Sequence, residues 1–271
     1  MPFCLQEQLA AALEGARARS AAGLLAVDAV EGSLAHRWNA ATAELLAADA
    51  ATATPATAAT TPAALKSQQW WRKVRDAYTD PYRQYHTLQH LNAMFGHFDQ
   101  HVAQLKSPAL VTMTIFFHDI VYAEENVGKH PKNEMDSAVL WREFASDVGL
   151  TAEQTDEVAA WIERTGSHLK GGKTEGDLAY FLDFDLAILG ESPAAYAEYT
   201  QQIRLEYASV PLKEFREKRG AFMPQFLASE SLYFTEHFKT HYEGRARQNV
   251  QDEIARLVGA DGGGSGGLSS L

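Results

Sequence analysis

The sequence predicts an all-α fold, and three observations lead to this prediction. Apolar residues recur every three or four positions through most of the chain, which is the spacing of amphipathic helices. No stretch alternates apolar and polar residues in the manner of a strand, and no internal repeat is present in the sequence. The pairs Ser107-Pro108 and Ser192-Pro193 each place a capping residue and a first-turn proline where a helix begins.

The first half of the chain shows the pattern of four helices. Residues 33–47 place apolar side chains on one face, and a second pattern runs from Gln68 until Asp80-Pro81 interrupts it. Residues 85–105 carry a core stripe, which consists of Leu88, Leu91, Phe95, Phe98, Val102 and Leu105. Residues 108–122 are apolar nearly all round, which predicts a central helix.

The second half of the chain predicts shorter helices with clear ends. Residues 133–148 form an amphipathic pattern that Gly149 ends. Thr151 and Gln154 have the spacing of a capping box, which starts a helix that ends at Gly166. Further helices are expected from Ser192-Pro193 onward and over residues 178–189, 211–227 and 243–258.

We expect four regions along the chain. Residues 1–47 are predicted to form N-terminal helices that pack on the core, and residues 48–66 form a low-complexity loop of Ala, Thr and Pro. Residues 67–259 form the main helical domain. Residues 260–271 are rich in Gly and Ser, which predicts a flexible tail.

Composition excludes several classes of protein. The net charge of −11 argues against general binding of nucleic acid or anionic membranes, because both require a basic surface. The single Cys4 excludes an internal disulfide and a cysteine-rich zinc site, and it fits a reducing compartment. No apolar run is long enough to span a bilayer, and no secretory signal is evident, so we expect a cytoplasmic protein without membrane contact.

The His118-Asp119 pair is the first indication of a metal site. It follows the apolar run of residues 109–117, and a buried carboxylate costs several kcal/mol unless it is paired or bound to a cation. His86 and His90 lie four residues apart on the preceding predicted helix, so we expect both to face the same point. The pattern therefore predicts a site built from histidines and carboxylates.

A further carboxylate is available in the apolar helix 178–189. Asp183 and Asp185 both lie among large apolar residues, and they point roughly 200° apart on a helix, so only one can reach a given ion. His97 and His101 continue the histidine stripe of residues 85–105. We expect these two to be solvated, because they lie two to three turns from the predicted site.

The order His, His-Asp, Asp over a helical core resembles the HD-domain metal-dependent phosphohydrolase superfamily. This resemblance implies an HD-domain-like helical bundle for residues 67–259. The phrase Phe184-Asp185-Leu186 partly fits the superfamily, which makes Asp185 the implied late ligand. The implied metal ligands are His90, His118, Asp119 and Asp185, with Asp183 orienting a ligand or serving as the alternative.

The phrase Tyr85-His86-x-x-x-His90 is also similar to the metal motif Tyr-His-Asn-x-x-His of cyclic-nucleotide phosphodiesterases. Thr87 replaces the Asn of that motif, which weakens any inference to cyclic nucleotides. The similarity implies that His90 binds metal and that His86 is the general acid. Asp119 could also accept the proton of the attacking water.

A closer resemblance joins phrases from a longer part of the chain. Together they look like a bacterial-type group of predicted HD phosphohydrolases whose substrates are mostly unassigned, and the likeness extends to about residue 257. The phrases are Arg83-x-Tyr85-His86, His118-Asp119, Asn133-Glu134-x-x-Ser137-Ala138, Leu182-Asp183-x-Asp185-Leu186 and Ile203-Arg204-x-Glu206-Tyr207.

Four further residues are candidates for substrate binding. Arg83 and Arg204 suit phosphate because a guanidinium matches its oxygens, although structural ion pairs are the competing interpretation. His168 lies on a glycine-rich loop, where it could bind phosphate or a second metal, or lie at the surface without a functional role. Glu134 near a helix start could line the pocket or serve the helix dipole.

Two histidines and two carboxylates suit one divalent transition metal, namely Mn, Fe, Co, Ni or Zn, better than Mg. We therefore expect a hydrolase of a phosphate ester or anhydride, acting on a nucleotide or small phosphorylated metabolite, and we allow for a homodimer. An HD-type di-iron oxygenase is the alternative enzyme. It needs two more histidine ligands, for which only His130 and His168 are available. The third alternative is a non-catalytic metal-binding protein.

Overall fold

A computed structural model describes residues 28–47, 61–123, 131–167 and 174–259. Of these residues 79% are helical and none lies in a strand, which confirms the predicted all-α class. The expectations for residues 1–27, 48–60 and 260–271 lie outside the described residues. One difference falls at the second helix, which begins at Pro62 within the tract expected to be a loop. Thr61 caps this helix by accepting a hydrogen bond from the backbone N–H of Ala64.

The described helices are numbered here in chain order. They are α1 (28–47), α2 (Pro62–Tyr78), α3 (Leu88–His101), α4 (Pro108–Phe117), α5 (Lys132–Val148), α6 (Ala152–Thr165), α7 (Gly176–Leu186), α8 (Pro193–Glu206), α9 (Leu212–Phe222), α10 (Pro224–Ala228), α11 (Glu236–His241) and α12 (Glu243–Gly259). Short 3-10 turns over Val102–Gln104 and Ala187–Gly190 follow α3 and α7. No described helix combines the length and apolarity needed to cross a bilayer.

Helix α4 forms the centre of the core, as its uniform apolar composition predicts. Every residue from Ala109 to Phe117 is buried. An aromatic cluster surrounds its C-terminal end, where the ring of Trp38 lies 5.8 Å from Phe117 and 5.3 Å from Phe144. Trp38 thereby attaches α1 to the core, and truncating such a buried aromatic side chain typically costs about 3–5 kcal/mol.

Two helix ends differ from the prediction, and both differences position the site. Helix α3 begins at Leu88 instead of residue 85, because the side chain of Thr87 caps it by accepting from the N–H of Gln89. His86 therefore lies before the helix instead of on it, but it still faces the same point as His90, because Nε2 of His86 and Nε2 of His90 lie 3.8 and 3.9 Å from Oδ2 of Asp119. Helix α4 ends at Phe117 instead of residue 122, so His118-Asp119 lies in the turn that follows.

The expectation that His97 and His101 are solvated is also wrong. His101 is buried and His97 is half-buried. The short helix α11 folds over this end of α3, and the ring of Phe238 lies 5.4 Å from His97 and 5.6 Å from His101. The covering helix comes from far along the chain, so the local periodicity of α3 does not reveal the burial.

Candidate metal centre

Three segments bring the predicted ligands together. His90 lies in the first turn of α3, where the Thr87 cap fixes the start of the helix. His118 and Asp119 occupy the turn that ends α4, and Asp185 lies at the end of α7. These segments pack on one another through buried apolar residues, so the polar side chains meet at the edge of the core.

The ligand atoms converge on a single point. Nε2 of His90 lies 3.2 Å from Nε2 of His118. Oδ1 of Asp185 lies 3.3 Å from His90 Nε2 and 3.6 Å from His118 Nε2. Oδ2 of Asp119 lies 3.1 Å from His118 Nε2 and 3.9 Å from His90 Nε2. Two atoms that each lie about 2.1 Å from one ion are separated by ~3.0 Å at right angles and ~3.4 Å in a tetrahedron.

These separations of 3.1–3.9 Å are close to, or slightly longer than, those in the shell of a transition-metal ion. The ligand atoms of His90, His118 and Asp185 all lie within 4.8 Å of one another. Asp119 adds a fourth donor, a second carboxylate oxygen, on the His118 side. The group could therefore hold a metal ion, and its mixed nitrogen and oxygen donors fit the divalent transition metals expected from the sequence.

Solvent reaches the centre from the carboxylate side. The side chains of His90 and His118 are almost fully buried, whereas those of His86, Asp119 and Asp185 are each 16% exposed. The histidines therefore form the inner wall of the centre, and the open side is bordered by two carboxylates and one further imidazole.

The tautomer of His118 suits a metal ligand. Its Nδ1 lies 2.9 Å from the carbonyl oxygen of Ile115, to which it can donate, and this leaves the lone pair on Nε2 facing the centre. Burial lowers the pKa of His118, but Asp119 and Asp185 outweigh it and hold the pKa well above the ordinary value. Burial also acts on His90 and lowers its pKa. The two carboxylates thus concentrate negative charge where a cation would sit.

Arg83 stabilises the backbone around the centre. Its guanidinium is buried and donates to three carbonyl oxygens, those of His86 at 3.1 Å, Asp119 at 2.7 Å and Ile120 at 2.8 Å. These bonds hold the segment before α3 against the turn after α4. These donors are directed at backbone oxygens, which favours the structural interpretation of Arg83 over phosphate binding.

His86 stands beside the carboxylate edge, and Glu206 holds it there. Oε2 of Glu206 lies 2.8 Å from Nδ1 of His86, while its Oε1 accepts the backbone N–H groups of Gln84, Tyr85 and His86. The ring of Tyr122 stacks on the imidazole at 4.1 Å. The second ring nitrogen, Nε2, lies 3.8 Å from Oδ2 of Asp119 and so faces the centre.

The charges of His86 and Glu206 depend on each other. Burial lowers the pKa of His86, but Glu206 and then Asp119 outweigh it, so the pKa is raised above the ordinary value. Burial raises the pKa of Glu206, but His86 and the backbone N–H donors lower it to about 2. The pair is thus a carboxylate bonded to an imidazole that favours the protonated form.

Glu206 was not predicted as a site residue, although a signal for it exists. It continues the stripe of Tyr196, Tyr199 and Ile203 along α8, and a carboxylate at a core position of an amphipathic helix is costly unless it is paired. Because its partner His86 lies 120 residues away, only the tertiary structure identifies the pair.

Two of the remaining predicted residues, Arg204 and Glu134, lie on described helices outside the group of candidate ligand atoms. Arg204 donates to the carbonyl oxygens of Tyr207 and Val210, which favours the structural interpretation over phosphate binding. Glu134 lies in the first turn of α5, beside the Gly166 end of α6. His168, like His130, lies outside the described residues.

Asp183, expected to orient a ligand histidine or to serve as the alternative ligand, is not part of the group of candidate ligand atoms. It is fully buried, and its two oxygens accept the backbone N–H groups of Phe234 and Thr235, each at 2.8 Å. The carboxylate therefore stabilises the turn that precedes α11. It lies on the side of α7 opposite to Asp185.

No family model, curated protein or solved structure matches the chain. The fold and the site by themselves define an all-α protein with a buried two-histidine centre that could hold a metal ion.

Proposed function

We propose that the protein is a metal-dependent hydrolase of the HD type, which cleaves a phosphate ester or anhydride of a nucleotide or small phosphorylated metabolite. One observation carries the proposal. His86 presents Nε2 to the open, carboxylate side of the candidate centre, and Glu206 holds its other ring nitrogen. A metal-binding protein without catalysis has no need for an oriented imidazole beside its ligands.

His90, His118, Asp119 and Asp185 would hold one divalent ion, for which Mn, Fe, Co, Ni or Zn suits the donors better than Mg. When bound, such an ion supplies Lewis-acid activation of a phosphoryl group and of water. The buried imidazoles limit access from the core side, so substrate and water approach from the side of the carboxylates.

The residues of the chain supply the proton transfers. Asp119 accepts a proton from the attacking water, whose oxygen forms the new bond to phosphorus. His86 gives the proton on Nε2 to the leaving oxygen as the old phosphorus–oxygen bond breaks. Glu206 positions the imidazole and stabilises its charged form through the bond to Nδ1. The net reaction adds one water across the phosphorus–oxygen bond. Asp119 then releases its proton to solvent, and His86 takes up a proton from solvent.

A cavity beside His90 suits the uncharged part of such a substrate. It has a volume of about 270 Å³ and shares Tyr85 and His90 with the site. Its described lining includes three amides, Gln84, Gln89 and Gln202, together with apolar side chains. No lysine or arginine occurs among these described lining residues, so the cavity favours a neutral group that forms hydrogen bonds with amides over a second phosphate.

The proposal is tested by measuring free phosphate released from a panel of nucleotides and phosphate esters with Mn, Co, Ni, Zn or Mg. Activity should require a transition metal and should fall at least 100-fold in His86→Ala, while the bound metal stays at one ion per chain. His36→Ala, an exposed histidine on α1, is the matched control. Two irons per chain with oxygen-dependent turnover would overturn the proposal in favour of the oxygenase.

A further inference from the structure

Four histidines form a second cluster at the far end of α3. His97 and His101 are four residues apart on α3, and His237 and His241 are four residues apart on α11. The ring centres of His101 and His237 lie 4.5 Å apart, and those of His237 and His241 lie 4.6 Å apart. The eleven residues from His90 to His101 correspond to about 16 Å along the helix, so this cluster is separate from the first centre.

The hydrogen bonds of the cluster leave nitrogen lone pairs available. Nδ1 of His101 lies 2.8 Å from the carbonyl oxygen of His97, and Nδ1 of His241 lies 2.8 Å from that of His237. A carbonyl oxygen accepts only, so each Nδ1 carries the proton. The lone pair of each ring is therefore on Nε2, as in histidines that bind metals.

The imidazoles of His97 and His237 favour the neutral form. Burial, followed by the effects of His101 and His237, lowers the pKa of His97 to about 4. Burial also lowers the pKa of His237, followed by the effects of His101 and His241. The neighbours that act on these two groups are thus other histidines.

We propose that His101, His237 and His241 bind a second transition-metal ion such as Zn²⁺, Ni²⁺ or Cu²⁺, with His97 beside it. Imidazoles that share one ion have ring centres about 4.5–5.2 Å apart, from metal–nitrogen bonds of about 2.1 Å at right-angled to tetrahedral geometry. The observed distances fall at the lower end of this range. Nitrogen donors alone select these borderline metals over Mg²⁺ and Ca²⁺.

Binding requires two exposed rings to turn, and His241 would then give up the hydrogen bond from its Nδ1 to the carbonyl oxygen of His237. Within the described ranges, only the first centre already has three ligand atoms within 4.8 Å of one another. His101 is buried and fixed, whereas His237 and His241 are exposed on α11 and can turn their Nε2 atoms toward it. An ion would then link α3 to α11, which follows directly on the Phe234-Thr235 turn anchored by Asp183. The expected role is stabilisation of this junction.

Zn²⁺ titration of the full chain tests the proposal. The wild-type protein should bind two ions, and the double variant His237→Gln, His241→Gln should bind one, with at least tenfold weaker affinity for the second. The His36→Gln variant controls for an ordinary surface histidine. Zn²⁺ should also raise the melting temperature of wild type more than that of the double variant. Equal stoichiometry and affinity in wild type and double variant would overturn the proposal.

A measurement on the wild type keeps the test valid if the variants fold poorly. With two equivalents of Cu²⁺, electron paramagnetic resonance should show two species, of which one has nitrogen donors from at least three imidazoles. A single species with mixed nitrogen and oxygen donors would contradict a second site. The assignment of the first centre is tested separately. His90→Ala should remove the species with mixed nitrogen and oxygen donors and leave the species with nitrogen donors only.

Discussion

Oε2 of Glu206 lies 2.8 Å from Nδ1 of His86, although 120 residues separate the two in the chain. The same carboxylate accepts three consecutive backbone N–H groups through Oε1, so it fixes both the loop and the imidazole that the loop carries. Glu206 therefore determines where the candidate proton donor points without itself facing the centre.

Replacing Glu206 with Gln should lower kcat about 10- to 100-fold and leave KM and metal content nearly unchanged. Gln offers no charge to stabilise the imidazolium, and a hydrogen bond to a charged group contributes about 1.5–3 kcal/mol. Steady-state kinetics on the best phosphate ester checks this, together with metal analysis. Glu198→Gln, an exposed residue on the same helix, is the control. Equal losses in both variants would contradict the role given to Glu206.

The stability contribution of Glu206 should disappear in acid. Its pKa in the folded protein, about 2, lies below the ordinary value, so its contribution is complete above that ordinary value and is lost as the pH falls toward 2. Urea unfolding of wild type and Glu206→Gln should therefore differ most near neutral pH, and the gap should narrow below about pH 4.5. A gap that widens on acidification would show that the carboxyl is protonated in the fold.

Asp185→Asn should weaken binding of the first metal at least tenfold while the protein stays folded. The substitution keeps the size of the side chain but removes the charge that faces Nε2 of His90 and His118. Equilibrium dialysis with Mn²⁺ and Co²⁺ measures the affinity, and circular dichroism reports the fold. Unchanged affinity would exclude Asp185 as a ligand.

Asp183→Asn should have the opposite effect to Asp185→Asn, because it should destabilise the protein without weakening metal binding. Its carboxylate accepts two backbone N–H groups, and Asn replaces one acceptor oxygen with an amide that cannot accept, which costs roughly 1–3 kcal/mol of stability. Metal affinity should stay near that of wild type. Chemical unfolding with metal analysis compares the two aspartate variants, and loss of metal in Asp183→Asn alone would reverse the assignment.

Arg83→Lys should destabilise the protein by roughly 2–4 kcal/mol, because one ammonium cannot reproduce the fork that reaches three carbonyl oxygens. Urea unfolding measures the loss. If Arg83 instead bound phosphate, the principal effect would be a higher KM with little change in stability. Lys73→Arg, a lysine beside Trp70 on α2 and away from the centre, is the matched control for the change of cation.

Local sequence signals predict the helices well where the sequence contains capping residues at the ends of a helix or a clear apolar pattern within it. The capping box of Thr151 and Gln154 appears as predicted, and α6 begins directly after it. The uniform apolar composition of α4 correctly indicates a central helix. These features depend on neighbouring residues, so the sequence contains the information that decides them.

The sequence correctly groups His90, His118 and Asp185, but several other features that depend on distant partners were mispredicted. The sequence before Leu88 has a helical pattern, but the backbone N–H groups of residues 84–86 donate to Oε1 of Glu206. The helix therefore starts only at Leu88, after the Thr87 cap. His101 looks solvent-facing on α3 because its cover, Phe238, comes from α11. Asp183 and Asp185 have similar apolar neighbours in sequence. Only the hydrogen bonds from the backbone N–H groups of Phe234 and Thr235 show that Asp183 is the one that stabilises the fold.

The convergence of His90, His118 and Asp185 also bears on the synthesis of the protein. Each of the three segments contributes one or two donors, and Asp185 lies on α7, well past the middle of the chain. A nascent chain that has not yet released α7 from the ribosome contains His90, His118 and Asp119 but lacks Asp185. The complete ligand set would therefore form late in folding, after the core around α4, and a bound ion would stabilise a nearly complete domain.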